Sequence, residues 1–204
     1  GETVSLIGPN GSGKTTFIKC LLGLVVPDQG KILFDGQSIT RHWTYRKDIG
    51  YMPQIGRYPE NMSIGQVFDM MLDIRKKKNG ETDRELVDAF GLDTMLSKRM
   101  RTLSGGTRQK VSAALAFMFH PKVLILDEPT SAIDAESELL IHTALKEFVQ
   151  GRTTLIITHT LSPALLEYVS RIVVLDAGKV AAAGTHTELQ SVCPLYRQLS
   201  ETHA

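Results

Sequence analysis

Eight residues near the start of the chain, Gly8-Pro9-Asn10-Gly11-Ser12-Gly13-Lys14-Thr15, constrain its fold more than any other feature. They follow an apolar run at residues 4–7 and open a helix-like segment, so a strand, a tight loop and a helix must succeed one another here. Glycines let the backbone wrap closely enough for several N–H groups to face one phosphate. The helix that follows adds the positive end of its dipole. In such a loop Lys14 reaches the β and γ phosphates of a nucleotide, the Thr15 hydroxyl holds Mg²⁺, and Thr16 continues the same helix start. A glycine-rich turn with a solvated lysine is the plain alternative, and it leaves the filled spacing and both flanks unexplained.

A second stretch, Leu103-Ser104-Gly105-Gly106-Thr107-Arg108-Gln109-Lys110, stands before an Ala-rich helical run that ends near Phe119. Ser104 is a good helix N-cap, and Gly105 and Gly106 leave the free N–H groups of the first turn open to an anion. Taken alone, this is equally an ordinary capped turn. The run Val123-Leu124-Ile125-Leu126 then ends in Asp127-Glu128, as a buried parallel strand ending in two carboxylates. Open α/β sheets place their chemistry at such strand ends. Adjacent strand residues point to opposite faces, so Asp127 and Glu128 differ in role unless the backbone turns there. Asp127 is assigned to Mg²⁺ through water, and Glu128 to the attacking water as base or orienting group.

In content and order these stretches resemble the nucleotide-binding domain of ABC transporters, over nearly the whole chain. The resemblance implies a P-loop NTPase of the α/β class, with a mostly parallel sheet flanked by helices and an inserted helical lobe. Residues 1–54 and 107–204 would form the ATPase core, and about 55–106 the lobe. It also implies ATP and Mg²⁺ as ligands. Gln54, after the strand at residues 49–52, matches the loop glutamine that contacts Mg²⁺ and senses a membrane partner. Ser131-Ala132-Ile133-Asp134 matches the loop that crosses a dimer interface, with Asp134 near nucleotide, and His159 matches the switch histidine on the γ-phosphate. Each has a bland counterpart: a solvated loop residue, a helix cap and polar surface.

Two irregularities accompany the resemblance. The family carries an antiparallel segment, with an aromatic ring that stacks on adenine, ahead of the phosphate-loop strand, whereas this chain opens at Gly1 just before that strand. The expectation is a trimmed N-terminus, an unpaired sheet edge near residues 4–7, and base recognition that falls to Tyr45 or Tyr58 if to any ring. Trp43 does not match the stacking position either. Up to Thr130 the wording resembles stand-alone ATPase subunits of copper or nitrous-oxide-reductase maturation exporters. From Ser131, including Gly184-Thr185-His186-Thr187-Glu188-Leu189, it resembles half-transporters with fused membrane domains. Lysine usage shifts at the same place, with ten up to Thr130 and two after it, as a fusion of two parents would leave.

Composition bounds the rest. A chain of 204 residues with 42% hydrophobic content can bury one substantial core, and a net charge of +1 offers no electrostatic reason to expect nucleic acid as a partner. Arg75-Lys76-Lys77-Lys78 reads as a solvated helix end, Met70 and Met71 as core filling, and Cys20 and Cys193 as free thiols of a reducing compartment. No stretch approaches the roughly 18 apolar residues of a membrane-spanning helix. The expected place is therefore cytoplasmic, peripheral at the inner face of a membrane whose pore is another polypeptide or another part of the protein.

Capping-box patterns at Ser63 to Gln66 and Thr82 to Glu85 predict helices in the lobe. Beyond Lys122 strands and helices alternate: 123–127, 136–149, 153–158, 161–169 and 172–175, with a hairpin turn at Asp176-Ala177-Gly178 and a terminal helix from Pro194. Because the phosphate-seeking starts at Lys14 and Ser104 are separated by the lobe, the reading places ATP between Lys14 of one chain and Ser104, Gly105 and Gly106 of a second, head to tail. A translation factor would carry two such domains in one chain, and a chromosome-maintenance ATPase a long coiled coil between the motifs. A fragmentary domain that binds phosphate without turnover stays open.

Overall fold

A computed structural model describes residues 1–78, 80–131, 133–159 and 161–201. In chain order the elements are β1 (Thr3–Ile7), α1 (Lys14–Leu21), β2 (Leu33–Phe34), β3 (Gln37–Ser38), β4 (Ile49–Met52), α2 (Ile64–Arg75), α3 (Glu85–Ala89) and α4 (Gly105–Phe117). There follow β5 (Val123–Asp127), α5 (Ala135–Phe148), β6 (Thr153–Ile157), α6 (Pro163–Leu166), β7 (Arg171–Asp176), β8 (Lys179–Gly184), α7 (His186–Val192) and α8 (Pro194–Glu201).

Six strands form one sheet in the order β4-β5-β6-β1-β7-β8, parallel except for the β7–β8 hairpin. The expected sheet edge at β1 is overturned: β6 pairs with it on one side and β7 on the other, so its ladder groups are used on both flanks. A position this deep in a parallel sheet also explains its unbroken apolar run. In β5 the alternation of strand side chains divides the core. Leu124 and Leu126 pack with the lobe, α4 and α5, while Ile125 joins Leu6 and Ile157 against Ile18 of α1. Ile7, Ile172 and Val174 bury the far end of the sheet beneath Leu189 of α7 and Tyr196 of α8. Fully burying each of these side chains is worth roughly 1.5–3 kcal/mol.

Helix starts follow local chemistry where nothing competes. Ser63 and Gln66 form the expected capping box of α2, with Gln66 N donating to Ser63 Oγ at 3.2 Å and Ser63 N to Gln66 Oε1 at 2.9 Å. The second box is corrected. Thr82 caps nothing; α3 begins at Glu85, whose N–H donates to Asp83 Oδ1, while Asp83 Oδ2 faces Arg152 at 3.5 Å. That pair draws Asp83 into the helix entrance. The helix expected over 161–169 is likewise only Pro163–Leu166, because Ser162 caps it and Ser170 N then donates to Thr3 O, pulling the chain back into the sheet. Leu33–Phe34 pairs antiparallel with β3 as a separate two-stranded ribbon. The hairpin turn after β7 forms as read, with Ala177 and Gly178 both at positive φ. A further capping box, Thr185 with Glu188, starts α7, which the sequence reading did not assign.

Among the described residues, the helices at 55–106 share the core of the sheet. Ile64, Val67, Phe68, Leu86 and Met100 belong to the same buried cluster as Met52, Leu124 and Ile141. The boundary expected between residues 106 and 107 falls in the first turn of α4.

Candidate functional site

Strand order assembles the site. β4, β5, β6 and β1 are consecutive neighbours and parallel, so the segments leaving their C-terminal ends meet at one edge of the sheet. A cleft of about 400 Å³ lies there, lined by Asn10, Gly11, Ser12, Gly13, Lys14, Thr15, Thr16, Gln54, Asp127, Glu128, Ile157 and His159. Residues far apart in sequence thus share one surface.

The loop after β1 depends on its glycines. Gly11 and Gly13 have φ of 80° and 101°, in the left-handed region that favours glycine. Gly13 is the N-cap of α1 and offers no side-chain acceptor to the helix's first N–H groups. Gly8 and Pro9 do not line the cleft. Their carbonyls instead accept from Lys14 Nζ, at 2.6 and 3.1 Å, and hold the ammonium at the loop. A Cβ on Gly8 would lie 2.1 Å from Leu175 O, so only glycine fits between the loop and β7. Burial pushes the Lys14 ammonium below its ordinary pKa, and the charges of Glu128 and Asp127 offset part of that shift. Ser12 Oγ is buried and makes no hydrogen bond, a polar atom left for a bound oxygen.

Both carboxylates face the cleft, and the backbone is the reason. Glu128 adopts φ of 49°, a left-handed conformation that costs a non-glycine residue on the order of 1–2 kcal/mol. Its N–H donates to Ile157 O at 2.8 Å and its carbonyl accepts from Ser131 N at 3.1 Å, which together lock the turn. The face alternation of β5 ends here. Glu128 Oε2 accepts from His159 Nδ1 at 2.7 Å, so the histidine orients the carboxylate. Burial, then the charge of Glu128, pushes the Asp127 carboxyl above the usual carboxylate range, opposed by a hydrogen bond from Tyr51 and by Lys14. Burial and Asp127 push the Tyr51 phenol up to about 12, so it stays a donor. Tyr51 was not legible as a site residue, since nothing in a strand-borne tyrosine announces the carboxylate on the next strand.

Thr15, Gln54 and Asp127 offer a hydroxyl, an amide and a carboxylate at the cleft. Among the described residues no group of three or more His, Cys, Asp or Glu is placed to hold an ion. An oxygen donor set with one or two carboxylates fits Mg²⁺, which keeps several waters and takes further ligands from phosphates.

Ser104, Gly105, Gly106 and Asp134 lie apart from this cleft. Ser104 caps α4, accepting from Thr107 N at 3.2 Å, and Asp134 caps α5, accepting from Ser137 N at 2.8 Å. That bond, supported weakly by Lys110, holds the Asp134 carboxyl below its ordinary range. The two caps adjoin, since a Cβ on Gly106 would lie 2.3 Å from Ser137 Oγ and 3.1 Å from Asp134 Oδ2. The interface-loop assignment includes Ala132, which lies outside the described residues.

Tyr45 and Tyr58, neither of which matches the family's stacking position, make other contacts. Tyr45 donates its hydroxyl to Leu21 O at 3.0 Å, and Tyr58 OH lies 3.0 Å from Ser112 Oγ. Trp43 is 71% exposed and does not line the cleft.

Comparison with known proteins places the chain among relatives of known family. The family model described as ABC transporter matches residues 1–131. The ABC transporter B family member 1 of Dictyostelium discoideum is 36% identical over 93% of this chain and 22% of its own length. The ATP-dependent lipid A-core flippase of Cupriavidus metallidurans is 36% identical over 98% of this chain and 35% of its own. The chain therefore spans about a third or less of these relatives. Among solved structures, an ATP binding subunit of an ABC transporter superposes with a TM-score of 0.84 at 29% identity, covering 97% of this chain and 88% of that one. A bacterial Atm1-family ABC exporter with ATP bound superposes with a TM-score of 0.81 at 29% identity, over 98% of this chain and 36% of that one.

Proposed function

The chain belongs to the ABC transporter family as an ATPase domain, and we propose that it hydrolyses Mg-ATP between two such domains arranged head to tail, powering a membrane-spanning transporter subunit. The observation that carries this reading is the single cleft on which the phosphate loop, Gln54, Asp127, Glu128 and His159 converge.

The residues divide the work by chemistry. The loop from Gly8 to Gly13 and the start of α1 bind the phosphates through backbone N–H groups, with Lys14 supplying the cation and Thr16 a neighbouring hydroxyl. Thr15, Gln54 and Asp127 hold Mg²⁺, which when bound neutralises charge on the transferred phosphoryl group. Glu128 takes the proton of the attacking water, kept in position by its left-handed backbone and by His159. His159, which lines the same cleft, contacts the γ-phosphate. Ser104, Gly105, Gly106 and Asp134 close on the nucleotide of the partner domain, because they lie outside their own cleft, with Ser104, Gly105 and Asp134 exposed and Gly106 buried behind them.

Residues 1–54 and 107–204 act as the ATPase core and about 55–106 as the lobe that responds to the membrane. An apolar groove of about 410 Å³ supports this, lined by Tyr51, Pro53, Tyr58, Met71, Arg75 and Phe119 on both sides of the Gln54 loop. It suits a short apolar segment of the transporter subunit. Among the described residues no helix is long and apolar enough to cross a membrane. The place proposed for the domain is the cytoplasmic face of a membrane whose pore is another polypeptide or another part of the protein. The change in lysine usage near Thr130 supports a junction of two exporter lineages there.

Steady-state ATPase assays on the chain and on Glu128→Gln test the reading. The variant should bind ATP and turn over about 10²-fold more slowly or worse. Equal rates in the two proteins would remove Glu128 from the mechanism, and nucleotide binding without turnover in either would mark a fragmentary domain.

A further inference from the structure

The loop that carries Gln54 is fastened to α4 at three points. The Gln54 carbonyl accepts from Nε2 of Gln109, a side chain that is only 6% exposed, at 3.1 Å. A Cβ on Gly56 would lie 3.2 Å from Ser112 Oγ and 2.6 Å from the Tyr58 ring, so the loop presses onto the helix there. Tyr58 OH then closes the contact on Ser112 Oγ. Gln109 and Ser112 are one helical turn apart, and the same helix begins at the Ser104 cap. The Gln54 side chain, by contrast, is exposed and lines the cleft.

We infer that Gln109 is a positioning residue for Gln54, and that α4 is a strut through which a displacement at its Ser104 end moves Gln54 in the cleft of the same chain. The inference rests on the role of Gln54 proposed above. A carbonyl can only accept, so the Gln109 amide must present its N–H₂ to it, and this fixes where the Gln54 main chain sits. Because Gln109 is buried, the loop cannot leave it for water without leaving a polar group unpaired. In a head-to-tail pair, the nucleotide of one site would touch Ser104 while the other end of that helix segment holds the Gln54 of the second site. Each chain then links two sites by rigid displacement of a single helix.

Gln109→Met keeps the length of the side chain and removes the donor. Hydrogen exchange on the full chain without nucleotide should show the amides of residues 54–58 exchanging about tenfold faster, with the sheet unchanged. In ATPase assays the variant should lose about tenfold in kcat and need more Mg²⁺ for half-maximal rate, as loss of an outer partner to a metal-contacting residue does. The decisive arm is a cycle with Gln54→Ala. If Gln109 acts through Gln54, adding Gln109→Met to Gln54→Ala costs nothing further in kcat. A full tenfold loss on top of Gln54→Ala overturns the strut, as does unchanged exchange and turnover in Gln109→Met beside an impaired Gln54→Ala. An unimpaired Gln54→Ala overturns the role of Gln54 itself, and the proposal with it. Should Gln109→Met not fold, Tyr58→Phe releases the other attachment and enters the same cycle, with about a threefold loss expected that must also vanish in Gln54→Ala.

Discussion

The starts of α1 and α4 use the same physical resource, free N–H groups at a helix N-terminus, and leave it in opposite conditions. At α1 the N-cap is Gly13, left-handed and without a side chain to occupy the first turn, and Lys14 stands beside it, partly buried and tied to its own loop. At α4 the N-cap is Ser104, exposed, with Oγ already accepting from Thr107 N and in contact with Thr107 Oγ1 at 2.9 Å. The first lies in a cleft furnished by the chain's own sheet, whose neighbouring strands deliver Gln54, Asp127, Glu128 and His159 to it. The second is a capped helix end whose immediate company is the cap of α5. The same end chemistry gathers a cleft within its own chain only where the rest of the sheet supplies the other groups.

The sharpest way to break this contrast is at Lys14. Lys14→Ala removes the cation of the α1 cleft, and ATP affinity measured by calorimetry should fall about 10²-fold or more, as truncation of a buried charge partner does. An affinity within twofold of the parent would mean that α1 is no better equipped than α4.

The exposed start answers to a different measurement. Ser104→Arg should leave ATP affinity of the isolated chain within about twofold while blocking ATP-driven dimers, since a long side chain fills the surface on which a neighbour must close. Light scattering with ATP in a Glu128→Gln background reads this out. Dimers of undiminished amount would show that the α4 start does not meet a second domain.

A third test asks whether the α1 cleft reads anything beyond phosphate. Among the described residues no aromatic ring lines the cleft. ATP and GTP should then bind within about tenfold of each other, roughly 1.4 kcal/mol. A larger preference for ATP in competition experiments would require a base-reading group elsewhere in the chain.

The smallest effect concerns α5, which the Asp134 cap joins to the α4 start. His142 is buried, with Nδ1 against Tyr168 OH at 2.8 Å, Nε2 near Ser162 Oγ and Glu138 at 3.8 Å. Burial lowers its pKa below the ordinary 6.5, and Glu138 opposes the shift. A base that is harder to protonate when folded stabilises the fold fully above its unfolded pKa, and that contribution is lost as pH falls below 6.5 toward the folded value. Between about pH 7 and pH 5.5 the Tm of the parent should therefore drop by about 2–4 °C more than that of His142→Gln, for each 1 kcal/mol of linkage. Parallel curves would show that His142 carries its proton equally in both states.

How much of this was legible depends on whether a residue's partner was close in sequence. The phosphate loop, the Ser63, Ser104 and Asp134 caps, the strand at Val123–Asp127 and the hairpin at Ala177-Gly178 all form where local chemistry put them. The caps and turns are decided within a few residues, by a side-chain oxygen reaching the next turn or by glycine's freedom at positive φ, and the strand is announced by its unbroken apolar run. Thr82, by contrast, loses its cap to Asp83 because Arg152 recruits that carboxylate from across the molecule. The helix after Leu161 is cut short because Ser170 finds Thr3.

The sequence by itself determined the chemistry on offer: which loop can wrap a phosphate, which acids end a buried strand, and which helices can begin where. Only the tertiary structure decided what those groups would share. Placing β1 between β6 and β7, rather than at an edge, puts its loop beside those that leave β4, β5 and β6. The left-handed turn at Glu128, bonded to Ile157 and Ser131, brings the second carboxylate onto the face of the first and under His159. Strand order and a strained dihedral held by distant hydrogen bonds are properties of the assembled sheet, because their energies come from partners that only folding brings within reach.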